Sequence, residues 1–255
     1  MTKGIVRQVL VAVATVAVIV VNALANTLPI NGVTTGEISD LFDVYFVPAA
    51  YVFSIWSVIY LFLVGYTIYQ ALPAQRDDPR LQRIGYLYIL SAIANIAWIF
   101  LWHYQIFVFT LLAMFTLLGS LIAIYLTAGV GRERLSPAAT WLVQIPFSIY
   151  LGWITVATVA NVTSVLDYVG WNGWGLSQEV WMIIILIVTA AIASATVFTR
   201  RDIAYGLVIV WALIGIAVRH ANVSVVAIPT ALIVLVVVLA LSLGLRRAYS
   251  PTGRT

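Results

Sequence analysis

Residues 223–245 read VSVVAIPTALIVLVVVLALSLGL, an apolar run that contains no charged side chain. Its length matches the roughly 20 apolar residues that an α-helix needs to cross the ~30 Å hydrocarbon core of a bilayer. Backbone N–H and C=O groups in lipid need partners within their own segment, so such a run must be helical. Arg246 and Arg247 follow directly and indicate where the segment meets water.

The rest of the chain repeats this pattern. Of its 255 residues, 63% are hydrophobic and only 9% are charged, and the mean hydropathy is +1.07. A soluble domain of this length carries far more charge. The sequence therefore predicts an all-α, polytopic transmembrane bundle. Its eight expected spans are Val6–Ala25, Phe46–Leu72, Ile84–Tyr104, Ile106–Val130, Ala138–Val165, Val180–Phe198, Ile203–Val218 and Val223–Leu245.

Charge predicts the orientation of this bundle. With the N-terminus inside and the spans alternating, all of the 13 lysine and arginine residues except Arg219 fall on the inner side. Basic residues favour cytoplasmic loops. The sequence therefore predicts a protein of the cytoplasmic membrane, in contact with lipids, with both termini inside. The expected outer loops carry acidic residues, which are Glu37, Asp40, Asp43, Asp167 and Glu179.

Three segments need separate interpretation. Ile203–Val218 is short for a span and is the weakest of the eight. The outer loop Leu28–Tyr45 contains Thr34-Thr35-Gly36-Glu37, a capping-box pattern that predicts a short surface helix. Trp171, Trp174 and Trp181 cluster around the second long outer loop, and we interpret them as part of an interfacial aromatic belt.

Composition excludes several function classes. Cysteine is absent and the only lysine is Lys3, which excludes disulfides, iron–sulfur clusters and a retinal Schiff base within the bundle. No charged residue lies near the middle of a span, which argues against an ion-coupled transporter. His103 and His220 lie at span ends, so we expect neither a mid-membrane bis-histidine haem nor a metal site. The basic residues are spread over short loops, so we expect no nucleic-acid partner.

The polar and aromatic residues inside the spans are the remaining candidates for function. Asparagines in lipid-embedded helices ordinarily form interhelical hydrogen bonds, worth about 0.6–2 kcal/mol each. Aromatic side chains ordinarily pack. Together, however, aromatic rings from several helices with one or two amides also describe a pocket for a flat apolar ligand.

Three motifs on the second, third and fifth spans resemble the TspO/MBR family of tryptophan-rich sensory and translocator proteins. The second span contains Pro48, then Tyr51-Val52-Phe53 and Trp56-Ser57-Val58-Ile59-Tyr60. The third span contains Asn95-Ile96-Ala97-Trp98, and the fifth contains Pro146-Phe147, Trp153, Ala157 and Asn161. The register of the fifth span leaves either Tyr150 or Trp153 at the family's tryptophan position.

This resemblance implies a cavity that opens toward the first inter-helix loop, with Leu28–Tyr45 as its lid. It implies a porphyrin, haem-like tetrapyrrole or sterol ligand and no obligatory cofactor. The motifs extend over about residues 6–161, so we expect a five-helix membrane domain at 1–165 and three additional helices at 166–255. The implied ligand-binding residues are Tyr51, Phe53, Trp56, Tyr60, Asn95, Trp98, Tyr150, Trp153 and Asn161.

Other functions stay open at this point. The three extra apolar spans favour an accessory subunit, in a homodimer or a larger membrane complex. The similar segments Phe53-Ser54-Ile55-Trp56 and Phe147-Ser148-Ile149-Tyr150 would suit the inverted repeat of a facilitative transporter. No acid–base pair, nucleophile dyad or metal cluster is visible, so we do not expect an enzyme.

Overall fold

A computed structural model of the protein describes residues 3–28 and 30–249, without the side chains of residues 3 and 246–249. Within these ranges the chain forms eight long helices and no strand. Seven of them are long and apolar enough to cross a membrane, which confirms the predicted polytopic bundle. The helices are α1 (Lys3–Thr27), α2 (Ile55–Ala71), α3 (Pro79–His103), α4 (Phe107–Thr127), α5 (Ile145–Tyr168), α6 (Gln178–Arg200), α7 (Ile203–Arg219) and α8 (Ser224–Tyr249).

Side-chain caps begin several of these helices. Asp78 accepts hydrogen bonds from the backbone N–H groups of Arg80 and Leu81 at 2.7 and 3.1 Å, and Pro79 occupies the first turn of α3. Ser177 and Asp202 cap α6 and α7 in the same way. A side-chain acceptor satisfies backbone N–H groups that have no partner within the helix. Local sequence therefore fixes where these helices begin.

The second span begins later than predicted. Phe46–Ala49 is not helical, and a 3₁₀ turn at Ala50–Ser54 leads into α2. Proline disfavours the helical conformation of the residue before it, so Pro48 keeps this segment extended. The backbone N–H of Ala49 instead donates to the carbonyl of Gly215 in α7 at 3.1 Å. The apolar residues predicted to start the span thus serve to attach it to α7.

A widened turn precedes α5. Pro137–Ala139 and a π-helical turn at Thr140–Gln144 run without interruption into α5, so the whole helical stretch is Pro137–Tyr168. Pro146 has no N–H and its ring crowds the carbonyl four residues earlier, a conflict that a wider turn relieves. Gln144 lies in this turn and donates from Nε2 to the carbonyl of Ala128 at 3.0 Å, which satisfies the end of α4.

The first five helices form a closed ring. Helix α1 packs on α2 and α3, α3 packs on α4, α4 on α5, and α5 returns to α2. Buried hydroxyls join neighbours inside the ring, because Thr15 Oγ1 of α1 lies 2.7 Å from Thr67 Oγ1 of α2 and 2.8 Å from Tyr88 OH of α3. This order of helices sets the residues of α2, α3 and α5 around one interior.

Helix α7 attaches the last three helices to this ring. It packs on α5, α6 and α8, and it also contacts the 3₁₀ turn before α2. A β-carbon at Gly215 would lie 2.1 Å from Val52 Cγ2, so the absence of a side chain permits this close approach. The 17 residues of α7 give a length of about 25 Å. This length is short for a membrane span, as the sequence indicated. That α7 crosses the whole bilayer stays a prediction.

The two ends of the bundle differ in charge. The α2–α3, α4–α5 and α6–α7 connections carry arginines and lie at one end. The α1–α2, α3–α4, α5–α6 and α7–α8 connections lie at the other end, together with the short helix Thr35–Ser39. Arg219, the exception to the charge rule, lies here and pairs with Asp40 at 2.7 Å. Which membrane face each end occupies stays a prediction, and residues 250–255 lie outside the described part.

Candidate ligand cavity

Five of the predicted residues form one aromatic cluster between α2 and α5. The ring of Trp56 stacks on Tyr60, with centroids 5.5 Å apart, and meets Tyr150 and Trp153 edge-on at 5.9 and 6.2 Å. Phe53 meets Trp153 at 5.8 Å. Both Tyr150 and Trp153 are buried, so the two alternatives for the family's tryptophan position lie in the same cluster.

The three remaining polar candidates join the ring helices by hydrogen bonds. Asn95 Oδ1 accepts from Asn22 Nδ2 of α1 at 2.7 Å. Asn161 Oδ1 of α5 accepts from Trp98 Nε1 of α3 at 3.3 Å, and its Nδ2 donates to Thr110 Oγ1 of α4 at 2.9 Å. Interhelical hydrogen bonding is the ordinary role of such amides. Asn161 fulfils that role and also borders the cavity described next.

A small cavity, which we call the ring cavity, lies inside the five-helix ring beneath the short helix Thr35–Ser39. Its volume is about 60 Å³. The indole N–H of Trp153 is buried and has no hydrogen-bond partner. Four of the predicted residues line the cavity, together with Trp102, with Thr35 and Ser39 of the predicted lid segment, and with Ser164, which no sequence motif indicated. Those four predicted residues are Phe53, Trp98, Trp153 and Asn161.

The predicted lid segment, Leu28–Tyr45, contributes Thr35 and Ser39 to the lining of this cavity. Thr34 and Glu37 form the predicted capping box, and two hydrogen bonds from Thr34 lower the pKa of the Glu37 carboxyl. His103, at the end of α3, holds the segment in place. Its Nδ1 lies 3.1 Å from the carbonyl of Ile30 and its Nε2 lies 3.0 Å from Thr35 Oγ1. A carbonyl only accepts, so Nδ1 carries the proton. The predicted structural role of His103 agrees with these contacts.

A comparison with protein families identifies the chain. The family model described as TSPO-like protein matches residues 8–245. The chain belongs to the TSPO-like protein family. The match extends past Asn161, where the recognised motifs end, and includes all three C-terminal helices, so the resemblance is longer than the motifs indicated. No curated protein and no solved structure matches the chain significantly.

Tyr51 lies apart from the ring cavity of this TSPO-like protein. It is 43% exposed, and its ring meets Trp211 of α7 edge-on at 5.4 Å. Residues two positions apart on a helical turn project in different directions, so Tyr51 and Phe53 of the 3₁₀ turn Ala50–Ser54 face different neighbours. Tyr51 therefore supplies a natural control position.

In this TSPO-like protein the lining of the ring cavity suits a flat ligand, but the cavity is too small for a large one. Its aromatic side chains suit a flat ligand. Its volume is too small for such a ligand, because pockets for drug-sized ligands span about 300–1,000 Å³. A tetrapyrrole therefore does not fit the observed conformation. In the described part of the chain, no three His, Asp or Glu side chains form a group that could hold a metal ion.

Proposed function

We propose that this integral membrane protein binds a flat, largely apolar ligand of the tetrapyrrole or sterol type in the ring cavity. The single observation that supports the proposal concerns Trp153, which lines this cavity and is only 3% exposed. Its indole N–H is buried and has no hydrogen-bond partner. A buried donor without a partner costs about 1–3 kcal/mol, which a ligand acceptor would recover. Aromatic rings on either side of it would contact the ligand faces.

Binding on this proposal requires the lid to move. The segment Ile30–Thr35 would release His103 and Trp102, whose indole N–H donates to the Thr35 carbonyl at 3.2 Å. Further along the lid, Ile38 and Phe42 are buried against Trp102 and Phe107, so opening would also expose this apolar contact. A ligand that opens the lid should increase hydrogen exchange at residues 30–40.

The test is a titration of the purified protein in nanodiscs with protoporphyrin, followed by the absorbance and fluorescence of the porphyrin itself. We expect saturable binding that weakens about tenfold in Trp153→Phe, which removes the N–H and keeps an aromatic ring. Tyr51→Phe is the matched control and should bind as the wild type does. Equal affinities of Trp153→Phe and the wild type, or no saturation, would contradict the proposal.

A further inference from the structure

Helix α5 separates the ring cavity from a second and much larger pocket, which we call the lateral pocket. The face of α5 with Ala157, Ala160 and Asn161 borders the ring cavity, while the face with Thr158, Val162 and Leu166 borders the lateral pocket. The lateral pocket has a volume of about 480 Å³ and lies between α5, α6 and the segment 43–46. Its size is typical of small-molecule sites.

Two tryptophans give this pocket a fixed aromatic wall. Trp171 and Trp181 pack with ring centroids 5.0 Å apart, and the N–H of Trp181 donates to the carbonyl of Gly173 at 2.8 Å. Gly173 has a φ of +64°, and a β-carbon there would lie 3.2 Å from the Trp181 Nε1. Trp174 is 77% exposed and suits the predicted interfacial belt. Trp171 and Trp181 instead border the pocket.

The rim of the lateral pocket is acidic. Asp43 and Asp167 border it, both are exposed, and neither carboxylate forms a hydrogen bond or an ion pair with any described residue. No lysine, arginine or histidine borders the pocket. Below the rim the wall is apolar, with Val159, Met182 and Ile185. The pocket thus joins an apolar interior to two unpaired negative charges.

We infer that the lateral pocket binds a lipophilic cation, an amphiphile with an ammonium or amine head and an apolar body. Indole faces and unpaired carboxylates both attract a cation, and the first attraction is strongest when the cation is partly desolvated. The same charges repel the carboxylates of a fatty acid or of a tetrapyrrole. The lateral pocket therefore selects against a tetrapyrrole, one of the two ligand types proposed for the ring cavity.

The test compares three brominated probes that share one dodecyl chain and differ in the head group. Bromododecyl-trimethylammonium is the cation, bromododecanol is neutral and bromododecanoate is the anion. The protein is held in phosphatidylcholine nanodiscs, and bromine quenches tryptophan fluorescence on contact. We expect the cation to bind about tenfold more tightly than the alcohol, and the anion to bind more weakly than both.

Variants assign that preference to the pocket. Asp43→Asn with Asp167→Asn should remove the preference for the cation and leave alcohol binding unchanged. Asp77→Asn, an exposed acid at the opposite end of the bundle, is the matched control and should keep the preference. Trp171→Phe with Trp181→Phe should remove most of the saturable quenching, while Trp153→Phe should keep it, which separates this site from the ring cavity.

Four outcomes would overturn the inference. Equal binding of all three probes would identify the pocket as a groove filled by lipid chains of any kind. Preference for the alcohol would identify a sterol-like site, and preference for the anion would contradict the role of the carboxylates. The inference also fails if the cation preference survives in Asp43→Asn with Asp167→Asn. Porphyrin binding in the ring cavity is measured separately, so either proposal can fail alone.

Discussion

Asn161 connects three helices of the ring through one amide group. It accepts from Trp98 of α3 and donates to Thr110 of α4 while it borders the ring cavity. An amide with partners on both atoms holds its orientation, so it presents a constant polar edge to the cavity. Its partner Thr110 does not line the cavity, so replacing Thr110 tests the hydrogen bonds without changing the cavity lining.

Thr110→Val should destabilise the protein by about 1 kcal/mol, because valine keeps the shape of threonine but accepts no hydrogen bond from the buried Asn161 amide. The measurement is thermal unfolding in detergent. Thr116→Val is the matched control on the same helix, since Thr116 is half-buried and its hydroxyl bonds only the Leu112 carbonyl of its own helix. Equal effects of the two substitutions would show that the Thr110–Asn161 contact adds nothing.

His220 should make stability depend on pH. Burial and the neighbouring Arg219 lower the pKa of His220 from its ordinary value of 6.5. The unfolded chain then gains a proton at a higher pH than the folded chain does. Its contribution to stability is therefore present above about pH 6.5 and is lost as the pH falls through the lower folded pKa.

The corresponding measurement is the unfolding temperature at about pH 7.5 and about pH 5. We expect the wild type to lose more stability on acidification than His220→Gln, which has no group that titrates in this range. If both proteins lose the same amount, other groups cause the acid response. His103, with both ring nitrogens bonded, remains present in both proteins.

Among the connecting elements, the α4–α5 loop is the most sensitive to a single carbon atom. Gly131 has a φ of +68°, and a β-carbon there would lie 1.5 Å from the carbonyl oxygen of Arg200. Gly170, in the α5–α6 loop, has a nearly equal φ of +67° but nothing within 4 Å of the same position. The two glycines therefore separate backbone strain from steric overlap.

Gly170→Ala should cost about 1 kcal/mol, the strain of a left-handed residue with a side chain. Gly131→Ala should cost about 2–4 kcal/mol, because the loop must also move away from Arg200. Both costs can be read from thermal unfolding of the purified variants. Similar costs would show that the loop moves freely and that its contact with the α6–α7 connection is weak.

Sequence patterns locate helices better than they locate helix contacts. Apolar length predicted the end of α3 to within one residue, and the predicted capping box at Thr34 forms, but α3 begins at Pro79, before the predicted Ile84, because Asp78 caps it. The predicted start of the second span at Phe46 was wrong, because Pro48 and the contact with α7 keep this apolar segment out of the helix. The lateral pocket arises from the spacing between α5 and α6, which no local pattern encodes.

On the scale of the whole molecule, the first loop joins the ring to the last three helices. Asp40 pairs with Arg219 at 2.7 Å, and Tyr45 donates to Glu179 at 3.3 Å. The long apolar helices were predictable because hydropathy is summed along the chain, while the orientation of the bundle stays a prediction. The closure of the ring was not predictable, since it depends on which helices pack together. The division at residue 165 and any oligomer stay predictions.

Breaking the Asp40–Arg219 pair should loosen the lid. The pair is partly exposed, so Asp40→Ala should cost stability by no more than about 1 kcal/mol. Its larger effect should be faster association of protoporphyrin, because fewer contacts hold the loop closed. Stopped-flow fluorescence measures this rate, and Asp77→Ala serves as the control. An unchanged association rate would show that the lid opens without releasing α7.

The double role of α5 has a thermodynamic consequence. One helix forms a wall of both the ring cavity and the lateral pocket, so a displacement that enlarges one narrows the other. If the ligands of the two sites displace α5 in opposite directions, each weakens the binding of the other, even though the two ligands never touch. Reciprocity then requires each to weaken the other by the same factor. Titrating protoporphyrin with and without bound cation would measure that factor.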